Sequence, residues 1–271
     1  MIVVTAASGA LGRLVVEQLL TRFPDRPVVA AVRDPGRCAD LTARGVDVRH
    51  GDYDDPATLR SAFRGADRLL LISSPVMDPD HRTRQHLAAV AAAVDSGVRA
   101  VAYTSFLGAD RGGDGPNAAH HATERAIIDS GLGYTLLRHP FYTDAFVDAG
   151  LRDAVTSGKL VSGTGGRGLN TALRSDLAAA AATVLTDDAH LGHGYDLTGA
   201  LWTYPQLAAT LTEVTGRPVE HVDGTVETPI GFLMNLAKAG LLERQTTDLE
   251  RLLGRPPTSL RQTVTEALRD A

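Results

Sequence analysis

Along the first half of the chain, short apolar runs rich in β-branched residues alternate with longer stretches in which apolar and polar positions recur at helical spacing. The runs MIVVTA, PVVAAVR, VDVRHG, DRLLLIS, VRAVAYTS and YTLLRHP read as strands, and helical patterns fall near residues 11–22, 37–44, 56–64, 80–96 and 118–130. Strands that are apolar on both faces, separated by helices, belong to a parallel sheet covered on each side. The punctuation agrees: Asp55 followed by Pro56 is an N-cap and first-turn pair, and Gly45, Gly65, Gly97 and Gly131 stand where helix C-caps belong.

After residue 141 the alternation stops. DAFVDAGLRDAVTSGKLVSGTGGRGLN predicts a helix, then a Gly-rich connection and a short strand, and SDLAAAAATVLTD predicts a helix with Ser175 as N-cap that returns to the sheet. YDLTG, the helix PQLAATLTEVTG and the strand PVEHVD are expected to build a smaller lobe. The last stretch, TSLRQTVTEALRDA, carries Ser259 and Gln262 in capping-box spacing and predicts a terminal helix. The expected architecture is α/β, a Rossmann-type doubly wound parallel sheet with a smaller C-terminal α/β lobe. The predicted division is residues 1–140, with 170–185 packing back on them, and a lobe from 141–169 and 186–271.

Composition narrows the function classes. With 44% hydrophobic and 22% charged residues the chain is an ordinary globular protein, and its longest apolar run, LAAAAATVL, is too short to span a bilayer. A formal net charge of −5 without a basic run argues against nucleic acid as a partner. No basic segment followed by an apolar one opens the sequence, so a cytoplasmic location is expected. The single cysteine, Cys38, excludes an intrachain disulfide and reads as a small core residue. The histidines show no ligand spacing, so no metal site is expected.

Candidate chemistry begins at TAASGALG, residues 5–12. Gly9 and Gly12 lie between the first strand and the first helix, where free backbone N–H groups and the helix dipole favour an anion such as a pyrophosphate. A missing side chain at Gly9 admits the phosphate, and one at Gly12 lets the helix pack on the strand. The second strand ends at Val32 and is followed by Arg33, where an NAD-specific fold often carries a carboxylate for the ribose hydroxyls. Arg33, with Arg37 one turn on, favours a 2′-phosphate, so NADP(H) is preferred over NAD(H), although Asp34 keeps an NAD reading open.

TAASGALG, AVRDPGR, HGDYDD, LLLISS, AYTSFLGAD, HHATERAIIDSGLGYTLLRHPFYTDAF and SDLAAAAATVL occur in the order and spacing of the NmrA-like, atypical short-chain dehydrogenase/reductase family. Within that family the chain most resembles the bacterial type 2 NAD(P)H:quinone oxidoreductases. The resemblance implies that Thr5, Ser8, Gly9, Ala10, Leu11 and Gly12 hold the pyrophosphate, that Arg33 meets the adenosine 2′-phosphate, and that Asp52 and Tyr53 border the adenine. It places Ser73, Ser74, Thr104 and Ser105 along the nicotinamide ribose and ring, with Pro140, Phe141 and Tyr142 covering the nicotinamide. It leaves a homodimer open.

Two departures stand out. Ala6 occupies the place of the first glycine of the family's GxxGxxG, which implies a turn needing no positive φ there. The Tyr-x-x-x-Lys pair of ordinary short-chain dehydrogenases is replaced by His120 and Glu124, one helical turn apart. Glu124 is expected to be solvated or bonded to its own helix. Hydride delivered to a simple ketone makes a strongly basic alkoxide that needs a positioned acid, whereas a quinone yields a delocalised phenolate of pKa about 10. A quinone or aromatic ketone is therefore the expected substrate, with His120 as proton donor or orienting group and Ser105 as a hydrogen-bonding partner. Phe106, Trp202 and Met234, with Phe141 and Tyr142, are candidate walls. Two other functions remain open at this point: an aromatic-polyketide ketoreductase whose substrate supplies its own proton, and a non-enzymatic NADP(H) redox sensor.

Overall fold

The computed structural model describes residues 1–112, 115–148, 150–227 and 229–269. Its strands are β1 (Ile2–Thr5), β2 (Val28–Val32), β3 (Asp47–His50), β4 (Arg68–Leu71), β5 (Ala100–Phe106), β6 (Gly133–His139), β7 (Lys159–Ser162), β8 (His193–Asp196) and β9 (Glu220–Asp223). Its α-helices are α1 (Ala10–Arg22), α2 (Ala39–Ala43), α3 (Pro56–Phe63), α4 (Pro79–Asp95), α5 (Ala118–Asp129), α6 (Leu151–Ser157), α7 (Arg174–Thr186), α8 (Tyr204–Thr215), α9 (Pro229–Lys238), α10 (Asp248–Leu253) and α11 (Leu260–Arg269). The chain divides into two compact units, Met1–His139 with Leu177–Asp196, and Pro140–Asp176 with Leu197–Ala271.

The first unit is built on a seven-stranded sheet in the order β3-β2-β1-β4-β5-β6-β8, every pair of which is parallel. Strand order reverses between β1 and β4, the switch point at which doubly wound sheets open a crevice beyond their carboxyl ends. β1, β2 and β4 are buried along their whole length. Leu59, Phe63, Leu69, Leu71, Val101, Tyr103 and Ile127 share one core cluster, and each such buried aliphatic or aromatic side chain contributes roughly 1.5–3 kcal/mol. Asp55 caps α3 by accepting from the Ala57 amide, and Gly45, Gly65, Gly97 and Gly131 all take positive φ as the C-cap pattern predicts. Cys38 is buried and unbridged.

The sheet takes in more of the chain than the apolar pattern shows. Tyr195 and Asp196, read as part of the smaller lobe, lie in β8 and pair with Leu137 and Arg138 of β6. The predicted boundary at residue 186 is corrected accordingly: β8 is too short and too polar, reading HGYD, to announce itself as a sheet strand. Ser175 is not the N-cap of α7, which already includes Arg174; Asp144 receives the Arg174 amide through its carboxylate instead.

The second unit contains the parallel pair β7 and β9 and its own apolar cluster, which includes Phe146, Leu169, Trp202, Leu207, Met234 and Val264. Here β7 follows α6 directly and the Gly-rich segment comes after it, the reverse of the predicted order. Thr203 and Gln206 form a capping box at α8, and Ser259 and Gln262 exchange the reciprocal bonds that the sequence spacing predicts at α11. The final two residues of that predicted helix, Asp270 and Ala271, lie outside the described residues. No helix among the described residues is long and apolar enough to cross a membrane.

Candidate active site

The glycine turn meets α1 at the carboxyl end of β1. Gly9 is the N-cap and supplies no side-chain hydrogen bond, no acidic residue occupies the first turn, and Ser8, Gly9 and Ala10 are exposed. The amides at the start of α1 have no partner within the helix and stand free for an anion. At Gly12 an added Cβ would lie 2.4 Å from the Ala6 carbonyl oxygen and 2.7 Å from the Ala7 Cα. Backbone cannot yield there, so only glycine lets the helix sit this close to the turn. Leu11 turns its side chain into the core and has only its amide to offer. Ala6 corrects the sequence reading: its φ is +48°, making it the positive-φ residue other than glycine among those described. The family's glycine position keeps its left-handed backbone here although the glycine is gone, and the Gly9 amide closes the turn on the Ala6 carbonyl at 2.9 Å.

Beside this turn is a cleft of roughly 580 Å³ lined by Ser8, Arg13, Arg33, Asp34 and Arg37. Three guanidinium groups around one opening suit a phosphate ester. Arg33 and Arg37 are where the sequence places them, whereas Arg13, a helix residue indistinguishable in sequence from a solvated one, joins them unannounced. Arg13 is tethered by Asp40. Asp34, the residue that kept NAD in play, uses its carboxylate to accept the Gly36 amide at 3.1 Å and so caps the short turn Pro35–Cys38. The free N–H groups, the glycine that cannot bear a side chain and the arginine-lined cleft together fit the phosphates of a dinucleotide.

Several hydroxyls expected along the cofactor are committed to the sheet. Thr5 Oγ1 donates to the Leu70 carbonyl at 3.0 Å and accepts from the Ile72 amide at 2.8 Å, so it ties β1 to β4 and leaves only backbone for a pyrophosphate. The Tyr53 hydroxyl lies 2.6 Å from Thr5 Oγ1 and 2.5 Å from the Ile72 carbonyl, and burial pushes its pKa above the usual phenol value. Asp52 accepts the Asp54 amide at 3.0 Å. Ser74 is buried, its hydroxyl on Gln85 Oε1 at 2.5 Å, and Thr104 Oγ1 accepts the Ser73 amide at 2.9 Å. Ser73 stays half-buried.

The pair that replaces Tyr and Lys is also unlike its expectation. Glu124 is buried rather than solvated, and Arg138 of β6 grips both its oxygens, each at 2.9 Å. Ser105 donates its hydroxyl proton to the same carboxylate at 2.6 Å, so it is an acceptor toward anything else. His120 is buried beside the end of β5, stacked on Phe106 with ring centroids 6.0 Å apart, and 2.9 Å from the Tyr103 hydroxyl through Nδ1. Burial and the Arg82 charge push its pKa down to about 4, so it is neutral at physiological pH and does not titrate near 7 as an exposed imidazole would.

The remaining candidates belong to the second unit. Phe141 packs against that unit's core, and Tyr142 stacks under the Arg174 guanidinium at 4.2 Å. Pro140 is buried at the unit's first position. Trp202 is a core residue, its indole N–H on Thr171 Oγ1 at 2.7 Å, and Met234 lines a separate cavity of roughly 410 Å³ with Asn235 and Lys238.

Residues 6–188 match the model of the NAD(P)H-binding family. The chain belongs to this family. It is an NAD(P)H-dependent oxidoreductase with the NmrA-like, atypical short-chain reductases as its kin. It is similar to quinone oxidoreductase 2 of Escherichia coli, with 38% identity over 97% of each chain. An NmrA-like family domain-containing oxidoreductase of Aspergillus flavus is 34% identical over 53% of this chain and 48% of its own. Among solved structures, the triphenylmethane reductase of Citrobacter sp. complexed with NADP(H) superposes with a TM-score of 0.92 at 37% identity, covering 98% of this chain and all of that one.

Proposed function

We propose that this reductase uses NADPH to reduce a quinone or a planar aromatic carbonyl compound. Bound NADPH supplies the hydride. The amides that open α1 would hold the pyrophosphate, and Arg33 and Arg37, with Arg13 of the same cleft, would take the adenosine 2′-phosphate. Asp34 turns Oδ1 onto a cap, which weakens the argument for NADH.

The decisive support is the state of His120 and Glu124. A neutral imidazole and a carboxylate saturated by Arg138 and Ser105 are a poor acid pair for an alkoxide, whose basicity demands a proton within the transition state. A quinone asks for less. Its reduced anion is stable enough to be held by one N–H donor and to take a proton from water afterwards. His120 supplies such a donor without becoming charged. Arg138 offsets much of the negative charge of Glu124, so the carboxylate that replaces lysine repels a newly formed anion less than a bare one would. The names of the relatives, a quinone oxidoreductase and a triphenylmethane reductase, agree with a conjugated acceptor of hydride.

Stopped-flow oxidation of NADPH against a simple benzoquinone, an anthraquinone-like aromatic ketone and an aliphatic ketone tests the proposal. Rapid turnover of the first, or of the first two, with none of the third, is expected. Turnover confined to the polycyclic ketone moves the assignment to a biosynthetic ketoreductase. No turnover with NADPH tightly bound refutes the enzymatic proposal in favour of a cofactor sensor. Replacing Arg33 and Arg37 by Ala is expected to weaken NADPH binding about 10- to 100-fold and leave NADH unchanged, as read by fluorescence titration.

A further inference from the structure

A buried chain of hydrogen bonds behind His120 decides which of its nitrogens carries the proton. Four side chains take part: His86 of α4, Tyr103 of β5, and His120 and Thr123 of α5, all buried. His86 Nε2 lies 2.8 Å from the Ser74 amide nitrogen. A backbone N–H can only donate, so His86 Nε2 is bare and its proton sits on Nδ1. That Nδ1–H faces Thr123 Oγ1 at 3.0 Å and the Tyr103 hydroxyl at 3.3 Å. Thr123 gives its own proton to the Ala119 carbonyl at 2.6 Å and accepts from His86. Tyr103 therefore has no acceptor in His86; of its two other partners, Thr123 Oγ1 already receives the His86 proton, and the more basic imidazole nitrogen, His120 Nδ1 at 2.9 Å, takes the Tyr103 proton.

We propose that Tyr103 is a positioning residue that holds neutral His120 in its Nε2–H form, with the tautomer set through His86 by the backbone amide of Ser74. The role given to His120 toward substrate rests on the function proposed above; the tautomer does not. The chain also ends at an amide, which does not release its proton at neutral pH. It orients His120 but feeds no proton to it. His120 thus acts by hydrogen bonding to a developing anion, and the product's proton comes from solvent. A further constraint is the stacking of Phe106 on the imidazole, which with the Tyr103 bond fixes the plane of the ring.

Histidine 15N NMR on the intact protein reads the tautomer directly. In the wild type, His120 is expected to show a protonated Nε2 and an Nδ1 displaced as a hydrogen-bond acceptor, unchanged from pH 6 to 8. Tyr103→Phe should move the Nδ1 resonance to its unbonded position and lower kcat about tenfold on the quinone, with NADPH affinity kept. Cofactor titration of the variant shows that it folds, and the wild-type spectrum needs no variant. A proton on His120 Nδ1 in the wild type, or an Nδ1 resonance that does not move in Tyr103→Phe, overturns the proposal. His120→Ala separates the two layers. If that variant turns over quinone like the wild type, the substrate role of His120 fails, while the spectrum still decides the tautomer.

Discussion

Ala6 pays the steric cost that a glycine at the same place avoids. Its left-handed φ of +48° costs roughly 1 kcal/mol for a residue with a Cβ. Ala6→Gly relieves that strain while loosening the unfolded chain, so a gain of no more than about 1 kcal/mol is expected by urea titration. Gly12 behaves in the opposite way. In Gly12→Ala the new methyl meets the Ala6 and Ala7 backbone, and the variant should lose about 1–3 kcal/mol of stability together with cofactor binding. Sequence alone located both residues, since Gly9 and Gly12 stand between a recognisable strand and helix. It did not give the φ of Ala6, because a preference for glycine at such a site is statistical and the neighbouring peptide geometry decides the outcome. Nor did it give the commitments of Thr5, Tyr53 and Ser74, whose partners are distant in sequence and meet only once β1 and β4 lie side by side.

At the level of elements, the same limit explains α5. Periodicity placed that helix correctly and put His120 and Glu124 on one face, but no pattern within α5 announces that Arg138 of β6 will neutralise Glu124. Arg138 also lies 3.6 Å from both Asp110 and Asp196, so one guanidinium serves three carboxylates. Restoring the lysine of the ordinary short-chain pair would therefore be harmful: Glu124→Lys buries a second cation against Arg138. A loss of about 3–5 kcal/mol is expected on thermal or urea unfolding, even when combined with His120→Tyr. α7 and β8 carry the related lesson for boundaries. α7 was visible because it is long and apolar, whereas β8, with only four residues and an exposed start, owes its strand conformation to the waiting edge of β6.

Over the whole molecule, buried neutral histidines set the response to acid. Burial holds His86 and His139 at about 3 and His120 at about 4, against 6.5 for an exposed imidazole. Between pH 6.5 and those values the unfolded chain binds more protons than the folded one, so stability rises with pH through this window and is lost as acid is added. Each histidine contributes a slope of up to about 1.4 kcal/mol per pH unit. The melting temperature should already fall between pH 6.5 and 5, before ordinary carboxylates titrate, and calorimetry across that range checks it. Turnover should lack the bell shape of a titrating catalytic histidine.

The late arrival of β8 has a consequence for how the protein is made. β6 leaves the ribosome with one edge bare, and the strand that covers it is not synthesised until residues 140–192 have been added. At typical elongation rates of about 5–20 residues per second, that leaves the outer edge of β6, already paired with β5 on its other side, uncovered for several seconds, on the order of 3–10 s. The nascent edge is not defenceless, because Arg138 places a charge near its end and Pro140 follows it directly. A chain released at residue 139 would keep that edge bare for good, and such a fragment should form larger aggregates in light scattering than the complete chain.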